Sequence, residues 1–177
     1  KITFDGRVNA TGSTKDLIIA NTVTTGYAIN FVNDANNNTI KYCTIRSVNT
    51  STTSGTITFT TGIAGGTGND NNTIDNNDIL DGATTPVNAI YSAGTSAAVD
   101  NSGNTVSNNN IANFFSAASV TNGMLLTSTG NSTWSVTSNR FYQGATRVYT
   151  TGNTHNVISI QSGGGYTITG NTIGYAN

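Results

Sequence analysis

The chain carries few side chains able to do chemistry, so their identities and positions narrow its function. All eight acidic groups are Asp, with no Glu, and Lys plus Arg number seven. Histidine and cysteine occur once each, at His155 and Cys43. The densest charged group is Lys41, Arg46, Asp75, Asp78 and Asp81. An acid/base or metal site there would need carboxylates converging in a cleft, with displaced pKa values. Cross-strand pairing on a solvated face needs only alternating signs, at ~0.2–1 kcal/mol per pair. The second reading is favoured. His155 has no Asp, Glu or Cys near it in sequence, so a metal site or a triad lacks partners and a loop position is expected. Trp134, Tyr142 and Tyr149 form the candidate sugar contact, set against packing of aromatic residues over the ends of a core.

Gly65-Gly66-Thr67-Gly68-Asn69-Asp70 matches the start of a calcium-binding nonapeptide repeat. Such sites hold each ion between tandem copies. Here one copy stands alone, and Asn72 occupies the slot that should be apolar. A Gly-rich loop is therefore favoured over calcium near Asp70.

Any such groups must be positioned by a repeating scaffold. One phrase recurs: an aliphatic residue, two residues, Asn, one residue, then an aliphatic or aromatic residue. It occurs at Ile18/Asn21/Val23, Ile74/Asn77/Ile79, Val106/Asn109/Ile111, Val136/Asn139/Phe141 and Ile168/Asn171/Ile173. A sixth copy, Ile40/Cys43/Ile45, places Cys in the Asn slot. Successive copies begin 22, 34, 32, 30 and 32 residues apart, the spacing of a repeat architecture. Asn tolerates the left-handed backbone region, so it serves as the bend between two short strands. Stacking at ~4.8 Å puts Asn21, Cys43, Asn77, Asn109, Asn139 and Asn171 in one inward column able to pair amide to amide. Cys43 leaves a gap in that ladder. A third strand per repeat reads Ile2-Thr-Phe4, Ile29-Asn-Phe31, Ile57-Thr-Phe59, Ile90-Tyr-Ser92, Met124-Leu-Leu126 and Ile158-Ser-Ile160.

These features predict an all-β chain: a right-handed parallel β-helix of about six coils, three short strands per coil, with an Asn ladder. Residues 1–177 form a single domain, expected to be a slice of a longer solenoid. The phrasing of Ile2-Thr-Phe-Asp-Gly-Arg7, Lys15-Asp-Leu-Ile-Ile-Ala-Asn21, Thr39-Ile-Lys-Tyr-Cys-Thr-Ile45 and Gly68-Asn-Asp-Asn-Asn-Thr-Ile-Asp-Asn-Asn77 resembles the pectate-lyase-like β-helix superfamily. More narrowly, it resembles the Asn/Thr-rich β-helix segments of large secreted or surface proteins of Bacteroidota, many of them type IX secretion substrates. The resemblance implies a secreted or cell-surface location and little about chemistry. In the superfamily, chemistry sits on the outer face of the third-listed strands, here Thr3, Asn30, Thr58, Tyr91, Leu125 and Ser159. None of these titrates near neutral pH, whereas glycoside hydrolysis needs paired carboxyl groups and lyase chemistry a base. The outward row Thr56, Thr58 and Thr60 is not continued by Tyr91, Leu125 and Ser159 in later coils, so the lattice is not kept and ice binding is not expected.

Charged residues make up 8% of the chain and net charge is −1, which offers no basic face for nucleic acid. No apolar run approaches the ~20 residues that insert in a bilayer. The expected role is a structural or adhesive rod, not an enzyme and without a cofactor. Its expected partners are neighbouring coils or copies joined through the terminal rungs. The alternative is a carbohydrate-binding or carbohydrate-active module acting on polysaccharide.

Overall fold

In a computed structural model, the chain is a parallel β-helix, described here for residues 1–174. The last three positions of the expected domain, 175–177, lie outside the described residues. Three sheets run along the axis, and every strand pair is parallel. Sheet A stacks Thr3–Asp5, Thr39–Lys41, Thr73–Asp75, Thr105–Ser107, Ser135–Thr137 and Thr167–Thr169. Sheet B stacks Leu17–Asn21, Cys43–Ser47, Asp78–Asp81, Asn110–Ala112, Arg140–Tyr142 and Thr172–Ile173. Sheet C stacks Ile29–Phe31, Ile57–Phe59, Asn88–Ser92, Thr121–Leu126 and His155–Ile160. Six rungs in two sheets and five in the third make about five turns. Among the described residues, the single helical element is the short 3-10 turn Val8–Ala10.

Strand alternation explains the core. The central residue of each sheet A strand points inward, so Phe4, Ile40, Ile74, Val106, Val136 and Ile168 stack in register. Ile19, Ile45, Ile79, Ile111, Phe141 and Ile173 do the same in sheet B. Ile40, Ile45, Ile74, Ile79, Val106, Ile111 and Val136 are buried. Ile168, in the same inward column, is 41% exposed, because its strand is the last rung of sheet A among the described residues.

The register corrects two expectations. Ile2-Thr-Phe4 does not join the sheet C strands; Phe4 pairs with Ile40, so the first rung belongs to sheet A. The phrase Ile18/Asn21/Val23 is not a copy of the repeat. Ile19, not Ile18, aligns with Ile45, while Ile18 and Val23 are exposed. An insertion causes this shift. Asp5 aligns with Lys41 and Leu17 with Cys43, so residues 7–16 bulge out of the first corner. The bulge is closed by Asp16 N–H and Leu17 N–H donating to the Gly6 carbonyl at 2.8 and 3.1 Å.

The bend also falls one residue earlier than expected. Tyr42, Asn76, Asn108, Ser138 and Gly170 adopt positive φ, each just before the ladder slot. A second left-handed column precedes sheet A at Asn37, Asn71, Gly103, Thr133 and Gly165. Each sheet A strand after the first is thus framed by two left-handed residues. Both turn the chain by the same backbone geometry.

Ile74→Ala removes a fully buried side chain between two packed coils and is expected to cost ~2–5 kcal/mol. Ile168→Ala, on the exposed rung, is expected to cost under ~1 kcal/mol, because only part of its surface leaves water. Urea unfolding of the two variants measures the difference, and equal losses would contradict the register.

Candidate functional site

The buried polar columns are built first, because they fix every surface position. Asn77, Asn109 and Asn139 are fully buried, and Asn171 continues their column. The side-chain oxygens of Asn109, Asn139 and Asn171 each accept two bonds from the preceding coil. Asn109 Oδ1 accepts the Asn77 backbone N–H at 2.8 Å and Asn77 Nδ2 at 3.1 Å. Asn139 Oδ1 does the same for Asn109 at 3.0 and 2.9 Å, and Asn171 Oδ1 for Asn139 at 2.9 and 3.0 Å. Each Nδ2 also donates to a carbonyl one coil back: Asn77 to Ile40, Asn109 to Ile74, Asn139 to Val106 and Asn171 to Val136.

Cys43 ends the column. Its backbone N–H donates to Asn77 Oδ1 at 2.9 Å, but its Sγ contacts only the Lys41 carbonyl at 3.3 Å. Burial raises its thiol pKa, so the side chain is an inert apolar filler rather than a nucleophile. Asn21 stands outside the ladder, aligned with Ser47, and closes a local turn onto Val23.

Further amide columns went unrecognised in the sequence. Asn38, Asn72 and Asn104 repeat the same double bond pattern on the other side of sheet A. Asn69 bonds Asn101 in the same way. In sheet C, Asn156 donates to Asn122 at 2.9 Å and Asn122 to Asn88 at 2.7 Å. The readable signal was the pairing of Asn72 with Asn77 and of Asn104 with Asn109, each five residues apart around one strand.

Trp134 is corrected as a sugar contact. It is fully buried, sits edge-on to Phe59 at 4.8 Å, and donates Nε1–H to the Asn101 carbonyl at 2.7 Å. Ser135 pairs with Thr105, which puts Trp134 in the slot of Asn104. It ends the second amide column as Cys43 ends the first. Tyr142 and Tyr149 lie in shallow hollows on either side of His155. Tyr149 lines a hollow of about 310 Å³ with Phe115, Arg147 and His155. Its hydroxyl and His155 Nδ1 both bond Thr121 Oγ1, at 2.9 and 2.6 Å. His155 begins a sheet C strand rather than lying in a loop, and it stacks flat on Phe114 at 5.0 Å. Desolvation against its neighbours, with the Arg147 charge, lowers its pKa, so it is neutral near pH 7.

The outer face of sheet C is not the open flank the sequence suggested. Thr58, Tyr91 and Leu125 are buried. The segment 51–55 lies against this face: Asn88 Nδ2 donates to the Ser54 carbonyl at 2.9 Å, and Thr58 Oγ1 bonds Gly55. Beside it runs a groove of about 350 Å³ lined by Thr52, Val120, Asn122, Leu125, Asn156 and Ser159.

The charged residues pair as a surface network. Asp5 accepts Arg7 and Lys41, and Lys15 reaches across to Asp78. Arg46 aligns with Leu80, and Asp81 with Ser47. Burial alone would raise the Asp75 pKa, but hydrogen bonds from Ser107, Asn108 and Asn76 together hold it below the usual carboxylate value. Asp70 is engaged by the Ser102 backbone N–H and hydroxyl at 2.8 and 2.9 Å. No family model matches the chain, and comparison with curated proteins and with solved structures gives no match.

Asn109→Ala strands two buried donors on Asn77 and leaves the Ile74 carbonyl without its side-chain donor. At ~1–3 kcal/mol per buried group left unsatisfied, the variant is expected to lose ~3 kcal/mol or more in urea unfolding. A loss within the ~0.5 kcal/mol of ordinary surface changes would contradict a structural ladder.

Proposed function

We propose that the chain is a stiff structural or adhesive segment of a secreted or cell-surface protein, with mechanical rather than catalytic action. The observation that carries this reading is the axial continuity of the amide columns and core, with apolar side chains exposed on the first and last described rungs. Solenoid stability sums contacts between neighbouring coils, so a continuous column resists bending at any one coil. At the first described rung Ile2 and Phe4 are exposed; at the last, Ile168 and Ile173. A rung with unpaired strand edges and apolar side chains accepts another strand. In this reading further coils, from the same polypeptide or another copy, continue the stack. The resemblance to Bacteroidota surface proteins supports an extracellular setting and export by a type IX route.

A second reading rests on the sheet C groove. Its amides Asn122 and Asn156, beside Leu125 and Val120, suit a neutral sugar, with hydrogen bonds from the amides and contact for the apolar ring face. In that reading the chain is a carbohydrate-binding or carbohydrate-active module.

The two separate by experiment. A rod segment is expected to form end-to-end chains in negative-stain images as concentration rises, and Ile2→Lys is expected to suppress them. A chain that stays monomeric and instead is retarded in gels containing one polysaccharide would replace the first reading with the second.

A further inference from the structure

The half-buried cations of this chain are not all paired alike. Arg7, Lys15 and Lys41 each meet a carboxylate. Arg147 is also half-buried, yet among the described residues it forms no ion pair. Neutral groups hold it instead. Its Nε donates to Gln143 Oε1 at 3.0 Å and its Nη2 to Asn113 Oδ1 at 3.1 Å. Both amides are themselves fixed. Gln143 Nε2 donates to the Phe114 carbonyl at 3.0 Å, and Asn113 Nδ2 to Asp81 at 2.9 Å. Asp81, the carboxylate on this network, therefore stands one amide away from the guanidinium. Nη1 makes no hydrogen bond within the described residues. A guanidinium held in one orientation, with a free edge and no counter-ion, is a receptor for an anion.

The hollow beside it says what the anion is carried on. Phe115, Tyr149 and His155 wall this hollow of about 310 Å³ with rings. The Arg147 guanidinium carbon lies 5.6 Å from the Phe115 ring centre. Tyr149 is tilted 58° to Phe115 at 5.1 Å, and His155 51° at 6.5 Å. Rings set at such angles accept a further ring edge to face. The polarity of the wall follows from its partners. Gln143 Nε2 can only donate, so His155 Nε2, at 3.4 Å, accepts. The imidazole hydrogen is then on Nδ1 and goes to Thr121 Oγ1. Burial and the Arg147 charge, which lower the His155 pKa, favour this single proton. Thr121 Oγ1 in turn donates to the Tyr149 hydroxyl, whose own hydrogen is left over. The acceptors Gln143 Oε1 and His155 Nε2 are thus engaged, while the donors Tyr149 O–H and Arg147 Nη1–H are free. A neutral sugar brings hydroxyl hydrogens that need acceptors, whereas a carboxylate brings acceptors alone.

We infer that this hollow binds an aromatic carboxylate, with the carboxylate on Arg147 Nη1 and the Tyr149 hydroxyl and the ring against Phe115. Its volume lies at the small end of the ~300–1,000 Å³ range of ligand pockets, which suits a one-ring ligand. The site stands apart from the sheet C groove and does not depend on whether the rod assembles.

The test titrates the full chain with benzoate, read by NMR shifts of the Phe115, Tyr149 and His155 ring protons. Saturable shifts are expected, with a dissociation constant on the order of 1 mM. Benzamide, of the same shape without the charge, is expected to bind at least ~10-fold more weakly, the worth of a charge-assisted hydrogen bond. Arg147→Met is expected to lose benzoate by a similar factor, and Tyr149→Phe by ~5-fold. If Arg147→Met misfolds, the benzoate-to-benzamide ratio of the wild type and the Tyr149→Phe variant carry the test. The absence of saturable shifts at ~50 mM benzoate, far above the expected constant, would overturn the inference. So would equal binding of benzoate and benzamide, or wild-type affinity in a folded Arg147→Met chain. Tighter binding of D-glucuronate or inorganic phosphate than of benzoate would assign the hollow to a sugar acid or a bare anion and also overturn it.

Discussion

The amide side chain of a buried Asn, bonded to the backbone of the coil before it, is the interaction on which this solenoid depends. Between sheets A and B the chain turns through one left-handed residue, and the turn points backbone groups inward where water cannot reach them. An Asn just after the turn offers one acceptor and two donors in the arrangement of a peptide group. Asn109 uses all of them: it accepts the Asn77 backbone and side-chain N–H groups and donates to the Ile74 carbonyl and to Asn139. The corner is thereby satisfied by the next coil rather than by its own. That makes each corner conditional on stacking and holds the rungs in register. A buried polar network is favourable only when every member is bonded, and here the sole orphan among buried side-chain polar atoms of the described residues is Thr56 Oγ1.

The columns end where an apolar side chain takes the slot, and the core compensates at those places. Cys43 fills the slot below Asn77 and aligns with Leu17, so the first corner is an apolar contact closed by the 7–16 insertion. Trp134 replaces the amide beyond Asn104 and extends to Phe59, which itself stacks on Phe31 at 4.3 Å. Its indole N–H returns to the Asn101 carbonyl, so the substitution leaves no donor unpaired. Polar columns and aromatic stack therefore trade places along the axis without a change of register.

Much of this was legible in the sequence, because a period of about thirty residues survives in the aliphatic positions and in Asn77, Asn109, Asn139 and Asn171. What was not legible has physical causes. The insertion after Gly6 displaced the first copy, so a chance phrase at Ile18 and Asn21 stood in for it. Adjacent Asn residues at 76–77 and 108–109 hid which one bends, although Ser138 and Gly170 mark the first of each pair as the left-handed position. Trp134 read as a surface aromatic because its slot is Asn in three earlier coils. The candidate surfaces were less legible than the fold, since they depend on loops. Nothing in Ser51 to Gly55 announces that this segment will cover Thr58 and Tyr91.

The most direct measurement is hydrogen exchange of the Asn side-chain amides by NMR. If the columns hold the coils together, the Nδ2 protons of Asn72, Asn77, Asn109 and Asn139 will exchange as slowly as the backbone amides of Ile74 and Val106. Exchange at the rate of the exposed Asn9 side chain would show that these amides are not bonded between coils and would contradict the account.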